Sequence, residues 1–351
     1  MEAAKKLVID IVTWNSARYL PNLFKSIDKQ TSNDFTVTVV DNASVDETLE
    51  WLQESRPGAA LLRNFRNQGF ARAHNQGVAL ALSRWEEEHN LKDRYIFLLN
   101  PDTILEATCI AQIISFMDTH LDVDIAGPKL LRAVRVMDIE NDEEDIQRSS
   151  ILDSTGISIF KSRKVVDRGA GEEDKGQFDQ VEPFGISGAA MVIRASAISD
   201  LRIGEDEVFD EDFFAYKEDA DLSWRARLLG MRVALIPSAL AWHIRTAKKA
   251  DQAGIQGVLH GQRERSSVVN RLSRRNQIWM EWKNDDTVSR LLHLPWRLPE
   301  LVLRLGALII FPSHARAFIE AWLGRGRMHT KHKALMTRRK VDAADIRKLF
   351  S

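Results

Sequence analysis

Tyr95-Ile96-Phe97-Leu98-Leu99-Asn100-Pro101-Asp102-Thr103 is the stretch on which the reading of the fold turns. Its opening run of apolar residues is short and bounded by a turn signal, so it reads as a strand buried on both faces. Asn-Pro-Asp then breaks the strand and leaves a carboxylate at its tip. Working outward, Leu7–Thr13 and residues 35–40 are further runs rich in β-branched residues, and 59–62 is a third. Residues 17–30 and 69–89 lie between such runs and are helix-compatible. Strands alternating with helices predict βαβ units, hence an α/β chain with a mostly parallel central sheet flanked by helices. Ligands of such sheets bind beyond the carboxyl ends of the strands. The residues to inspect are therefore Thr13-Trp14-Asn15, Asp41-Asn42-Ala43-Ser44 and Asn100-Pro101-Asp102.

Further along, 132–150 is charged and irregular and 167–180 is rich in Gly, Asp and Glu; both are expected as loops around a strand pair near 157–166. Residues 184–194 read as strand-like, and 209–230 as an aromatic-acidic stretch leading into a helix ended by Gly230. A strand over 231–236 follows, then Trp242-His243. Beyond about residue 251 the pattern is helical and basic, punctuated by Pro295, Pro299 and Pro312.

The 351 residues suffice for a sizeable core, and 44% hydrophobic with 28% charged residues is ordinary for a soluble globular chain. One cysteine, Cys109, excludes an internal disulfide framework and fits a reducing compartment. The N-terminus is short and polar, so no signal peptide is expected. No apolar run reaches the roughly 18 to 20 residues of a membrane span. Net charge is −1, yet residues 245–351 hold 22 Lys/Arg against 9 Asp/Glu, so a basic tail follows an acidic body. Such a tail suggests contact with phosphate groups or a membrane surface, or else a solvated helical surface. No nucleic-acid partner is expected.

Four groups of residues and one histidine are candidates to carry chemistry. Asp102, at the strand tip, suits a hard divalent cation such as Mg²⁺; alternatively it caps a helix starting near Ile104. Asp41 could accept bonds from a ribose or base, with Ser44 or Asp46 capping the next helix. Asn67-Gln68-Gly69-Phe70-Ala71-Arg72 resembles a loop entering a helix whose N-terminus and arginine could cradle a diphosphate; alternatively it is a turn with a surface arginine. Glu218-Asp219 stands among aromatics and other acids, where an unpaired carboxylate is costly unless it serves as a tuned base. Asp221 there reads as a plain charge at a helix N-terminus. His243 is either a metal ligand or a structural histidine.

Taken in order, these pieces resemble the family 2 glycosyltransferases of the GT-A fold, in their bacterial rhamnosyltransferase- and galactofuranosyltransferase-like branch. The resemblance runs through Ile11-Val12-Thr13-Trp14-Asn15, Val39-Val40-Asp41-Asn42-Ala43-Ser44, Asn67-Gln68-Gly69-Phe70-Ala71 and Leu98-Leu99-Asn100-Pro101-Asp102. It continues through Gly185-Ile186-Ser187-Gly188-Ala189-Ala190-Met191, Phe213 to Leu222 and Ala241-Trp242-His243. It implies that Thr13, Asp41 and Asn42 hold the nucleoside and that Asn15 also binds the donor. Asn67, Gly69, Arg72 and Asn100 would attend the rest of the donor. Asp102 would be the metal-binding acid of an Asp-x-Asp motif whose first acid is here Asn100, with His243 as a second ligand for Mg²⁺ or Mn²⁺. Asp219 would be the general base, and Ser187, Gly188, Glu218 and Trp242 would shape the acceptor pocket. Arg275-Asn276 is similar to an Arg-Asn that follows the catalytic domain in this branch.

The implied organisation is a catalytic domain over residues 1–250, with a nucleotide half to about 125 and an acceptor half over 126–250. A basic helical extension covers 251–351. The implied reaction is inverting transfer from a nucleotide-diphosphate sugar, foremost dTDP-rhamnose, then UDP-galactofuranose or another hexose donor. The acceptor would be a hydroxyl of a glycan or lipid-linked molecule in cell-surface polysaccharide synthesis. The expected location is cytoplasmic, with residues 297–311 as a candidate for contact with the inner face of the plasma membrane; homo-oligomer formation is left open. A sugar-1-phosphate nucleotidyltransferase would need a Gly-rich basic loop after the first strand, and Thr13-Trp14-Asn15-Ser16 is not one. A decayed glycan-binding protein would not need Asp102 and Asp219.

Overall fold

The computed structural model describes residues 5–85, 91–138, 143–204, 206–245 and 266–351. The chain runs β1 (Leu7–Thr13), α1 (Leu20–Asp28), β2 (Phe35–Asp41), α2 (Thr48–Ser55), β3 (Ala60–Arg63), α3 (Gly69–Ser83), β4 (Tyr95–Leu99) and β5 (Thr103–Leu105). It continues with α4 (Cys109–Thr119), β6 (Val123–Asp138), β7 (Glu143–Ser154), β8 (Ile157–Ile159), β9 (Val165–Asp167), β10 (Ala190–Arg194), α5 (Ile198–Leu201), α6 (Glu218–Leu228) and β11 (Arg232–Arg245). Helices Ser267–Asn284, Thr287–Leu292, Leu294–Ile310, Pro312–Leu323, Arg325–Arg338 and Ala343–Lys348 follow.

Among the described residues the main sheet has the order β3-β2-β1-β4-β10-β6-β11-β5, with β7 added to β6. The βαβ half, β3-β2-β1-β4, is parallel throughout, as the alternating pattern demands. β10 enters antiparallel between β4 and β6, and β11 runs parallel to β6. This is the expected fold: a mixed, mostly parallel sheet with helices on both faces.

Strand period sorts the core. In β4, Ile96 and Leu98 face one apolar layer with α3 and α6, while Tyr95, Phe97 and Leu99 face the other with α1 and α4. Every β4 side chain is buried, each stabilising by about 1.5–3 kcal/mol. Asp10, in the middle of β1, is fully buried and bonds His74 of α3 at 2.7 Å. Gly77 makes room for that pair, since a Cβ there would lie 1.9 Å from the Asp10 carboxylate.

Two expectations change. Residues 132–138 and 143–150 pair as antiparallel strands, β6 with β7, in place of a loop; ladder pairing outweighs their charged composition. Residues 103–105 form a strand against β11, and the next helix starts at Cys109. Asp102 therefore caps no helix. The expected boundary at residue 250, and the end of the segment expected as helix to residue 89, lie outside the described residues. The helices after residue 266 share the core of the sheet: Trp279, Met280, Met328, Leu335 and Phe350 belong to the same apolar cluster as Leu222 and Trp224.

Candidate active site

Strand register sets the site. Thr13 pairs with Asp41 across β1 and β2, and Ile11 with Leu99 across β1 and β4. The loops after all three strands thus emerge at one edge of the sheet. Asp41 is buried, and its carboxylate accepts from Thr13 Oγ1 (3.0 Å), Ser44 Oγ (2.6 Å) and the Ser44 amide (3.1 Å). That occupies three of its roughly four acceptor positions. Asn42 is a second hub. Its Nδ2 donates to Asn67 Oδ1 and the Gly69 carbonyl, and its Oδ1 accepts from the Gln68 amide and Asn64 Nδ2. Asn15, at φ 52°, donates its amide to Ser44 Oγ and accepts from the Val45 amide. The fold thus gathers Thr13, Asn15, Asp41, Asn42 and Asn67: the Thr13–Asp41 and Asn42–Asn67 side chains bond each other, and Asn15 bonds Ser44 and Val45. Ser44 works inside this network and caps no helix; Asp46 bonds the Thr48 amide and hydroxyl at the start of α2. Trp14 and Arg72 remain exposed at this edge, with Arg72 in the first turn of α3 and 3.6 Å from Glu211.

Gly69 joins this half to the next. At φ +83° it lies so close to the loop before α6 that a Cβ would meet the Phe214 carbonyl at 2.4 Å. That loop holds Phe214, Tyr216 and Lys217 at φ 65°, 74° and 72°, all non-glycine residues in the left-handed region. Such strain persists only where surroundings impose it, and it gathers at working sites. Here Asn276 imposes it, donating from one buried amide to the carbonyls of Phe213, Ala215 and Tyr216, each at 2.8 Å. Arg275 adds bonds to the carbonyls of Asp212 and Phe213.

The loop delivers Asp219 to the start of α6. Its Oδ2 accepts from the Gly188 amide at 3.0 Å and its Oδ1 from the Ala220 amide at 2.7 Å, and the residue stays half-buried. Ser187 is half-buried beside it. A side chain at Gly188 would crowd Phe70, 3.2 Å from its Cβ. Glu218 is buried, and its Oε2 has no hydrogen-bond partner among the described residues. Burial, with Asp219 beside it, pushes its pKa up to about 8. Asp221 is more than a helix-terminal charge. Buried, it bonds Lys283, Arg225 and Asn284, tying α6 to the helix Ser267–Asn284.

Asp102 and His243 meet across β5 and β11, with His243 Nε2 3.1 Å from Asp102 Oδ1. On the other side of the ring, Nδ1 lies 2.8 Å from Asp153 Oδ2. Burial favours the neutral imidazole, but the two carboxylates outweigh it and hold the pKa at about 9. A carboxylate behind the imidazole fixes which nitrogen faces outward, an arrangement common behind metal-binding histidines. One carboxylate and one oriented imidazole therefore fit a divalent cation as a partial set. Among the described residues no group of three or more His, Cys, Asp or Glu side chains could hold an ion unaided. A bound ion would complete its shell with phosphate oxygens and water.

A chain of contacts connects this pair to Asp219. Asp219 bonds Gly188, and the adjacent Ala189 carbonyl accepts from the Asn100 amide at 2.9 Å, two residues before Asp102. Trp242 is not brought to that group. Strand alternation turns it away from His243 into a cluster with Ile104, Ala133 and Ile244, and its Nε1 donates to the Ser149 carbonyl. Asp153 was missed by sequence reasoning, since a lone acid ending a hairpin strand carries no local signal.

The chain matches the family described as "Glycosyl transferase family 2" over residues 9–197, more than half its length, and belongs to that family. It is 32% identical over 135 residues to "PGL/p-HBAD biosynthesis glycosyltransferase Rv2957" of Mycobacterium tuberculosis, covering 37% of this chain and 49% of the relative. A Mycobacterium bovis counterpart matches to the same extent. The chain thus spans about half the length of these curated relatives. In structure it is similar to GalNAc-T7 crystallised with UDP, GalNAc and Mn²⁺ (TM-score 0.51, 11% identity, 86% of this chain and 58% of that one). It is also similar to S. aureus TarS 1–349 with UDP-GlcNAc (TM-score 0.50, 15% identity, 95% and 90%). At such identities these likenesses show the fold, a GT-A glycosyltransferase fold.

Proposed function

We propose that this chain transfers a hexosyl group, foremost L-rhamnose from dTDP-rhamnose, onto a hydroxyl of a glycan or lipid-linked acceptor, with inversion at the anomeric carbon. The observation that carries the proposal is the contact chain from Asp219 through Gly188, Ala189 and Asn100 to the Asp102–His243 pair. It fixes a candidate base and a candidate metal pair on one rigid frame. The half-buried Asp219 carboxylate, oriented by two amide donors, would take the acceptor proton as the hydroxyl attacks. Arg72 and the first turn of α3 would face the donor diphosphate. Asp102 and His243 would hold Mg²⁺ or Mn²⁺, whose bound charge would offset that developing on the departing nucleotide diphosphate. Asn42, Asn67 and the Asp41–Thr13–Ser44 knot would keep the nucleotide loops in place. The rhamnosyl reading follows the style of the motifs, and the family and its glycosyltransferase relatives support the broader reaction.

The test begins with thermal shift against dTDP-rhamnose, UDP-galactofuranose and UDP-hexoses, with Mg²⁺ or Mn²⁺, because a true donor stabilises the fold. With the donor found, Asp219→Asn should lower transfer by about 10²-fold or more while leaving donor stabilisation intact. Wild-type turnover in that variant would refute the base assignment. Nucleotide affinity that Asp102→Ala leaves unchanged, with and without metal, would refute the metal pair.

A further inference from the structure

The helix Leu294–Ile310 is turned inside out for a water-soluble body. Its arginines point inward: Arg297 bonds Glu281 at 2.8 Å and Asp285 at 2.7 Å, and Arg304 bonds Glu281 at 2.7 Å. Both arginine side chains are nearly buried. The opposite face is apolar and faces solvent, with Leu298, Val302 and Leu305 at 51%, 66% and 61% exposure. A surface helix ordinarily shows the reverse arrangement. The next helix, Pro312–Leu323, buries Ala317 and Ala321 and exposes Phe318, Ile319, Trp322 and Leu323. Together they form an exposed apolar surface, and contiguous apolar patches beyond a few hundred Å² mark interaction sites.

We propose that this helix pair is a docking surface for an anionic phospholipid bilayer, lying in the interface without crossing it. Neither helix alone is long and apolar enough to span; the pair together is, but its two halves are bent by 113° at the break between them, a geometry suited to lying along the interface. The charge pattern selects the occupant. Each exposed tryptophan of this helix pair carries a cation over its ring: Lys161 Nζ sits 5.2 Å from the Trp296 centroid and the Arg325 guanidinium 4.6 Å from that of Trp322. Tryptophan beside a cation matches the headgroup level of a membrane, where the ring is half-immersed and the cation meets lipid phosphate. These two cations at the rim of the apolar surface favour a negatively charged surface. The docking surface is also mechanically tied to the site. Glu281 and Asp285, which receive the arginines, flank the end of the helix that carries Asn276, and Asn276 grips the loop before Asp219. Docking would thus fix the acceptor end of the site relative to the lipid, a role that rests on the reading of a lipid-linked acceptor.

Flotation of the full chain with vesicles of phosphatidylcholine, alone or mixed with phosphatidylglycerol, tests the proposal. Binding to the mixed vesicles is expected, weaker in high salt. The combined variant Leu298→Glu, Val302→Glu, Leu305→Glu should lose about 100-fold in vesicle affinity. Its thermal unfolding should stay unchanged, since all three side chains face solvent; Trp296→Ala with Trp322→Ala should weaken binding in the same direction. Wild-type chain that ignores both vesicles, or a combined variant that floats as well as wild type, would overturn the proposal. So would a wild-type dimer that ignores vesicles and becomes monomeric in the combined variant. Donor stabilisation of the same variant, read by thermal shift, separates failure of docking from failure of the transferase reading.

Discussion

Asn276→Ala removes one buried amide and with it the grip on the carbonyls of Phe213, Ala215 and Tyr216. The amide has two hydrogens, so the three contacts amount to about two full hydrogen bonds, worth roughly 2–3 kcal/mol net. Against them stands the strain of Phe214, Tyr216 and Lys217 at positive φ, about 1–2 kcal/mol each. The strain matches or exceeds the grip, so without it the loop should relax rather than hold its shape. Arg275 still holds the carbonyls of Asp212 and Phe213, which confines the relaxation to 214–217. Thermal unfolding should fall by up to about 3–4 °C, the shift that losing the whole grip produces in a chain of this length before relief of strain offsets part of it, and amide exchange should accelerate over 214–217. Acceptor KM should rise more than donor KM, because Asp219 follows this loop. Asn276→Asp keeps the outline but turns oxygen toward three carbonyls, so its loss should be larger. An alanine variant with wild-type melting and wild-type exchange over 214–217 would show that the loop holds its own conformation and that the clasp is incidental.

The remaining predictions concern the same frame. Asp153→Asn should free the orientation of His243 and weaken Mn²⁺ binding, measured with nucleotide diphosphate present, by about 10–100-fold; unchanged affinity would remove Asp153 from the site. Gly69→Ala places a Cβ 2.4 Å from the Phe214 carbonyl at φ +83°. Its unfolding temperature should drop and donor stabilisation should shrink, and a wild-type profile would contradict the close approach. Glu218 carries a pH signature. Burial raises its folded pKa to about 8 from an ordinary 4.5, so the folded state binds the extra proton between those values and stability falls as pH rises from about 4.5 to 8. Glu218→Gln should therefore gain stability over wild type at pH 8 by a few kcal/mol, with little difference near pH 4.5. Parallel stability curves for the two proteins would refute a buried proton at this position.

The βαβ half could be read in advance because its information is local. Short apolar runs such as Tyr95–Leu99 and Leu7–Thr13 have little choice but to become buried strands, and the turn residues after them mark the ligand edge. Where composition and pairing disagreed, pairing won. The charged segments 132–138 and 143–150 became paired strands because each backbone found a partner. Asp102, read as either ligand or helix cap, lost the second role once Thr103–Leu105 paired with β11.

The chain by itself determined which residue types stand at the strand tips: Asp41, Asn100, Asp102 and, after the aromatic-acidic run, Glu218 and Asp219. What each side chain meets was decided only by the tertiary structure. Asp41 spends its oxygens on Thr13 and Ser44, Trp242 turns away from His243, and Asp153 arrives 90 residues upstream to orient that ring. Arg297 and Arg304 point inward because Glu281 and Asp285 wait there. The physical reason is the same in each case. Hydrogen bonds and ion pairs act over a few ångströms, so their partners are fixed by which strands and helices become neighbours, and periodicity along one element says nothing of what lies across from it.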